Sequence, residues 1–202
     1  LKVNGGKNRI YHYSKTVNKP LSKDFIRDIH KKKQYHYLNI VEDGSVSLKC
    51  GVRRLIEQLS LNGVRQFIVT SSSRIQVDLL IKKLFFGKNP FEFFITSDDV
   101  IYPKPNPSPY LKAISLSGIN ANNSLVFEDS YQGIKSSLDA YLPTIFVHSN
   151  LPIIIDKSLE IKCEINSFGD LDLIPEVIKG PTLKGNYIDF LFLNSFLKDY
   201  YH

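Results

Sequence analysis

Three short stretches of this 202-residue chain set a hydroxyl, a cation and paired carboxylates beside apolar segments. Thr70-Ser71-Ser72-Ser73 follows the run Phe67-Ile68-Val69, and Glu128-Asp129-Ser130 follows Leu125-Val126-Phe127. Between them, Pro103-Lys104-Pro105 stands just ahead of a helical pattern at 109–116. A serine between a strand end and a helix start offers its hydroxyl and free backbone N–H groups to a phosphate oxygen. A nearby lysine offsets the charge of that phosphate and of an attacking carboxylate. Adjacent carboxylates suit Mg2+, which is held by one or two carboxylates together with water and substrate phosphate. Together these parts describe phosphoryl transfer.

Each part also has a plainer meaning. Ser73 with Gln76, and Asp129 with Gln132, have the spacing of a capping box, so both pairs can simply start helices. Lys104 alone reads as a solvated loop lysine. The combination carries the chemical reading, not any single residue.

The elements that must position these residues alternate in type. Helices are expected at 52–61, 74–85, 109–116 and 131–140, and strands at 67–69, 91–95, 125–127, 144–147 and 161–165. Short apolar strands alternating with amphipathic helices predict a doubly wound, α/β parallel sheet covered on both faces, with ligands beyond the carboxyl ends of its strands. Ahead of this region, residues 20–44 read as one long helix, with Leu21, Phe25 and Ile29 four apart and a lysine-rich stretch after them. From Lys157 onward only the strand at 161–165 is assignable; the Gly-Pro and aromatic-rich remainder gives no clear pattern.

A 43% hydrophobic chain of this length can bury the core of one large domain, or of one domain with a small appendage. No apolar run approaches the roughly 18 residues of a membrane-spanning helix, and residues 1–9 lack a secretory pattern. A soluble, cytoplasmic protein is therefore expected. Cys50 and Cys163 lie far apart without a C-x-x-C partner, which suggests neither a disulfide framework nor a zinc site. The formal charge of +6 attracts anions. Its lysines are not interleaved with an aromatic stacking platform, which favours a phosphorylated metabolite over nucleic acid.

At the chemical residues the chain resembles the haloacid dehalogenase superfamily. Ser71 is similar to that family's second motif, Lys104 in Lys-Pro-Asn-Pro-Ser-Pro-Tyr to the third, and Glu128-Asp129-Ser130 with Gly133 to the fourth, in matching order. Within the superfamily it looks like the β-phosphoglucomutase branch, and most of all like CbbY-type xylulose-1,5-bisphosphate phosphatases. That closer likeness rests on Gly5-Gly6-Lys7, Arg9-Ile10 and the helix His30-Lys31-Lys32-Lys33. It extends from the first residues to about Val147.

The resemblance implies a haloacid dehalogenase-like Rossmannoid core at 47–202 and the latter part of a small helical cap at 1–46. It implies Ser71 and Lys104 as catalytic residues, Glu128 and Asp129 as Mg2+ ligands, and Lys7, Arg9, Lys33, Ser72 and Arg74 as substrate-binding residues. The family's first motif, Asp-x-Asp-Gly-Thr, has no match here, and Asp98-Asp99 falls between motifs two and three, where it cannot stand in. The expectation is that the nucleophilic aspartate lies upstream of Leu1, on the first core strand, and that this chain alone is inactive. The implied activity is hydrolysis of a small sugar phosphate by a monomer. A cap carrying cations favours a pentulose bisphosphate such as xylulose 1,5-bisphosphate. A phosphosugar mutase, or a non-catalytic sugar-phosphate sensor if the first motif is truly lacking, are the alternatives. The CbbY likeness also makes the plastid stroma an alternative location.

Overall fold

A computed structural model of the chain describes residues 3, 5–149, 156 and 158–201. The outer ends of the two expected domains, residues 1 and 202, and Lys157 lie outside the described residues.

Two helices come first, α1 (Gly6–Thr16) and α2 (Lys23–Glu42). Ser22 caps α2 by accepting a hydrogen bond from the Phe25 backbone N–H at 3.2 Å. Helix α2 is the long helix that the Leu21-Phe25-Ile29 spacing predicts. Helix α1 is an addition, and the Gly5-Gly6-Lys7 stretch forms its start, with Gly5 at the N-cap. The two helices pack on each other, and α2 is tied to the core by Lys83, whose ammonium donates to the Glu42 carbonyl at 2.7 Å.

The remainder alternates as predicted: α3 (Val52–Leu61), β1 (Phe67–Val69), α4 (Arg74–Leu84), β2 (Phe93–Ile95), α5 (Ser108–Ser117), β3 (Val126–Glu128), α6 (Tyr131–Asp139), β4 (Thr144–Val147) and β5 (Cys163–Ile165). Beyond these lie β6 (Val177–Lys179) and α7 (Phe190–Asp199), which the sequence pattern leaves unassigned. Strands β1 and β2 pair in parallel, with Phe67 opposite Phe93 and Val69 opposite Ile95. A second sheet runs β3-β4-β5-β6, parallel up to β5. Strand β6 joins antiparallel, so the sheet is mixed rather than wholly parallel. All four residues of β4 are buried, which explains its unbroken apolar sequence.

The two sheets stand side by side. Arg65–Val69 and Ser124–Phe127 both line one groove of about 570 Å3. Among the described residues, β1 pairs only with β2 and β3 only with β4, so each has an open edge.

The C-terminal segment is fixed by packing and by one arginine. Helix α7, capped by Asp189 accepting from the Phe192 N–H at 2.8 Å, buries Phe192, Leu193 and Phe196 against Leu55 and Leu59 of α3. Each such side chain contributes about 1.5–3 kcal/mol on burial. Arg54 of α3 donates through Nη2 to the carbonyls of Phe168, Gly169 and Ile188 at 3.0, 3.0 and 3.1 Å. Its guanidinium also lies 3.9 Å from the centre of the Tyr187 ring. Among the described residues Nε and Nη1, both buried, find no acceptor, and the ring face lies against the remaining positive charge. Arg54→Ala is expected to lower the unfolding free energy by about 1.5–3 kcal/mol, the scale of hydrogen bonds to a charged group. Arg54→Lys should recover little of this, because an ammonium cannot both stack flat and reach the three carbonyls. Urea denaturation of the three proteins measures both effects; equal midpoints for wild type and Arg54→Lys would refute the stacking account.

Candidate active site

The loops after β1 and β3 open into a cavity of about 960 Å3 that α1 and α2 also line. Ser71, Ser72, Lys104, Glu128 and Asp129 line it from the core, and Lys7, Arg9 and Lys33 line it from the two helices. Of the residues expected at the site, only Arg74 lies outside this lining.

The centre of the core side is a buried ion pair. Lys104 donates to Oε1 of Glu128, to the Val69 carbonyl at 2.8 Å and to the Tyr110 hydroxyl at 3.1 Å. Both charged side chains are only 7% exposed. The Tyr110 hydroxyl in turn donates to the same carboxylate oxygen of Glu128. Burial first, and then the Glu128 carboxylate, hold the Tyr110 phenol well above its ordinary range, so it remains a donor. The three partners of Lys104 join the end of β1, helix α5 and the end of β3, bridging the two sheets at their carboxyl edge.

Glycine makes room for this pair. A Cβ at Gly133 would overlap the Glu128 carboxylate, which therefore lies directly on the first turn of α6. The fourth-motif glycine thus serves close approach.

The plainer capping readings divide. Ser73 and Gln76 do form a capping box at the start of α4, with the Ser73 N–H donating to Gln76 Oε1 at 3.0 Å. Asp129 is not a cap. Ser130 caps α6 instead, accepting from the Gly133 N–H at 3.1 Å. Asp129 is left exposed at the cavity with no hydrogen bond among the described residues, and so is the Ser71 hydroxyl.

One expected site residue is placed away from the cavity lining. The Arg74 guanidinium turns toward the loop after β2, 3.6 Å from Asp99 and 3.3 Å from the Phe94 carbonyl, with its charge over the Phe94 ring. That loop holds it there: Asp99 accepts from the Thr96 N–H and hydroxyl at 2.8 and 2.6 Å, and these bonds keep its carboxyl below the usual carboxylate range. The two adjacent carboxylates are placed differently: Oε1 of Glu128 is engaged by Lys104 and Tyr110, whereas Asp129 lies exposed at the cavity. Among the described residues no group of three or more His, Cys, Asp or Glu side chains forms a ready-made metal cluster.

The family model for haloacid dehalogenase-like hydrolases matches residues 7–147. The chain belongs to that family. Among its members, CbbY of Rhodobacter capsulatus is 34% identical over 151 residues, which are 74% of this chain and 66% of that protein. The chain spans half to two thirds of the length of the first curated relatives that it matches. The crystal structure of a CbbY variant from Rhodobacter sphaeroides in complex with xylulose 1,5-bisphosphate aligns with a TM-score of 0.64 at 24% identity, over 80% of this chain and 71% of that one. A β-phosphoglucomutase from Clostridium difficile aligns over 100% of this chain and 80% of its own, with a TM-score of 0.72 at 15% identity. These two structural likenesses establish the haloacid dehalogenase-like α/β fold with its helical cap.

Two residues of this family member escape sequence reading. Tyr110 sits inside the third-motif stretch but draws no notice there, because a tyrosine on a helix start is an ordinary core residue. His30 lies among the cap cations that line the cavity, next to the lysine run that attracts attention instead.

The division of labour between the two carboxylates has a measurable consequence. Removing one partner of a buried pair leaves the other charge uncompensated, so Glu128→Ala is expected to cost about 3–5 kcal/mol of stability. Asp129→Ala should change it by no more than about 0.5 kcal/mol. Equal losses in chemical denaturation would show that Glu128 is not the structural member of the pair.

Proposed function

We propose that this chain forms the substrate-binding and phosphoryl-binding parts of a Mg2+-dependent phosphatase acting on a pentulose bisphosphate such as xylulose 1,5-bisphosphate. The observation that carries the reading is a cavity lined from two sources. Ser71, Lys104 and Asp129 line it from the core, and Lys7, Arg9 and Lys33 line it from α1 and α2. A substrate with an anionic group at each end satisfies both, whereas a monophosphate leaves one cluster of cations unpaired. The resemblance to CbbY proteins supports the same substrate class.

On the core side, the Ser71 hydroxyl and the backbone N–H groups after β1 receive phosphoryl oxygens. The Lys104 ammonium protons all have acceptors, and the 3.1 Å contact to Tyr110 is the longest. A phosphoryl oxygen arriving at the cavity takes the place of that hydroxyl, while Glu128 keeps the ammonium aimed. Mg2+ would be held by Asp129 and would neutralise charge on the transferring phosphoryl group. Glu128, tied to Lys104, positions rather than ligates. The family's chemistry calls for an aspartate nucleophile, whose carboxylate would act beside Ser71 and Lys104. Its attack on phosphorus gives an aspartyl phosphate and releases the alcohol; water then cleaves the acyl phosphate.

Steady-state hydrolysis by the full-length protein tests this. With Mg2+, xylulose 1,5-bisphosphate should be cleaved, and excess chelator should abolish turnover. Ser71→Ala should lower kcat by about 10²–10³, as for loss of one transition-state donor. Lys7→Ala should reduce kcat/KM for the bisphosphate by roughly one to two powers of ten, corresponding to about 1.5–3 kcal/mol, and leave glucose 6-phosphate nearly unaffected. Full activity in chelator, or equal losses for both substrates, would overturn the reading.

A further inference from the structure

His30 is a residue that the phosphoryl chemistry leaves unused. It projects from α2 into the cavity, and its ring rests on the start of α1 so closely that a Cβ at Gly6 would lie 2.6 Å from both Cδ2 and Nε2. Gly6 is thus the seat of the imidazole. The seat lies in a concentrated positive field. Lys7 and Arg9 approach from α1 and Lys33 from the next turn of α2; Lys49 lines the same cavity, and Lys104, Glu128 and Asp129 face it from the core. Gly5, the N-cap of α1, supplies no side-chain hydrogen bond, and the N–H groups of its first turn have no acceptor within the helix. The charged side chains that line the cavity from α1 and α2, Lys7, Arg9 and Lys33, are therefore all cations, with the polar groups of Asn8, Gln34 and Tyr37 among them.

An imidazole has a different use here from a fourth lysine. Burial, and then Lys7, Lys33 and Arg9, hold His30 below its ordinary value of about 6.5, so the free protein carries it neutral near pH 7. A doubly charged phosphate placed among these cations reverses the local potential and favours the imidazolium. A singly charged or neutral group does so far less.

We propose that His30 is a specificity-determining residue that binds the distal phosphate of the substrate as an imidazolium, taking one proton from solvent as the ligand enters. The inference rests on the bisphosphate reading of the cavity. It assigns to the cap a charge that appears only when a dianion is bound. The proton goes to the unprotonated ring nitrogen, both N–H groups become donors, and the proton returns to solvent when the distal group leaves.

Isothermal titration of the full-length protein with xylulose 1,5-bisphosphate, with Mg2+ withheld to prevent turnover, reads the proton directly. Titration at pH 7 in two buffers of different ionisation enthalpy should show proton uptake by wild type that is reduced by most of one proton in His30→Gln. Affinity for the bisphosphate should fall as pH rises through the imidazole range in wild type, and this dependence should weaken in the variant. With Mg2+ restored, KM for the bisphosphate should rise about tenfold in His30→Gln, the loss of one charged contact, while xylulose 5-phosphate is handled alike by both proteins. Gly6→Ala, which leaves the histidine in place but crowds its seat, should give the same selective loss and guards against a folding defect in His30→Gln. Unchanged KM and proton uptake in both variants, in a protein that still prefers the bisphosphate, would overturn the assignment of His30 alone. A wild type that neither binds nor prefers the bisphosphate would overturn the cavity reading and the His30 inference with it.

Discussion

The arrangement depends on the buried pair between Lys104 and Glu128. In the low-dielectric interior two charges are tolerated only when geometry and further hydrogen bonds compensate their desolvation. Here the compensation comes from the Val69 carbonyl and the Tyr110 hydroxyl, and each partner belongs to a different element. The pair therefore does more than bring a cation to a site. It sets the distance between the carboxyl ends of β1 and β3, and with it the spacing of Ser71 from Asp129. It also explains why Glu128 and Asp129, adjacent in sequence, lead different lives: the pair with Lys104 holds Glu128 buried, while Asp129 stays exposed at the cavity.

The side of the cavity lined by α1 and α2 follows another logic. No carboxylate among the described residues balances Lys7, Arg9 and Lys33 in an ion pair, and all three remain solvated enough to be cheap to hold apart. Positive charge is tolerated there because it is partly exposed, and it becomes valuable only against an anion that excludes the water. The two sides thus differ in kind, one preorganised by burial and the other left solvated.

Most of the core was legible because its signals are local. The run Phe67-Ile68-Val69 and the buried run at β4 can be little else than interior strands, and α3 and α6 follow from amphipathic spacing. The ends of the chain were harder. Helix α1 begins with two glycines and lacks a side-chain cap, so its start carries the signature of a turn; packing on α2 decides the matter. Helix α7 and the segment before it depend on Arg54, more than a hundred residues away in sequence, and no local pattern announces that partnership. At the site, the residue types named positions better than orientations. Arg74 begins a helix beside Ser71 and Ser72, yet the Phe94 ring and Asp99 draw it to the other side. Asp129 and Ser130 are both good caps, and only the backbone direction shows that the serine takes the role. Tyr110 meets Glu128 and His30 meets Gly6 only through the fold, which is why their types alone gave no warning.

The groove between β1 and β3 also divides the molecule by cohesion. The β1–β2 pair and α4 gather around their own apolar cluster of Val77, Ile81, Phe85 and Phe94, while β4, β5, α3 and α7 share a larger one. All of β4 is buried, whereas each residue of β1 is only half so. Cooperative opening accordingly has two natural units of unequal strength, and the weaker one carries Ser71. An anion that bridges Ser71 to Lys104 fastens the weaker unit to the stronger, so amide protons of β1 and β2 gain more protection from ligand than those of β4.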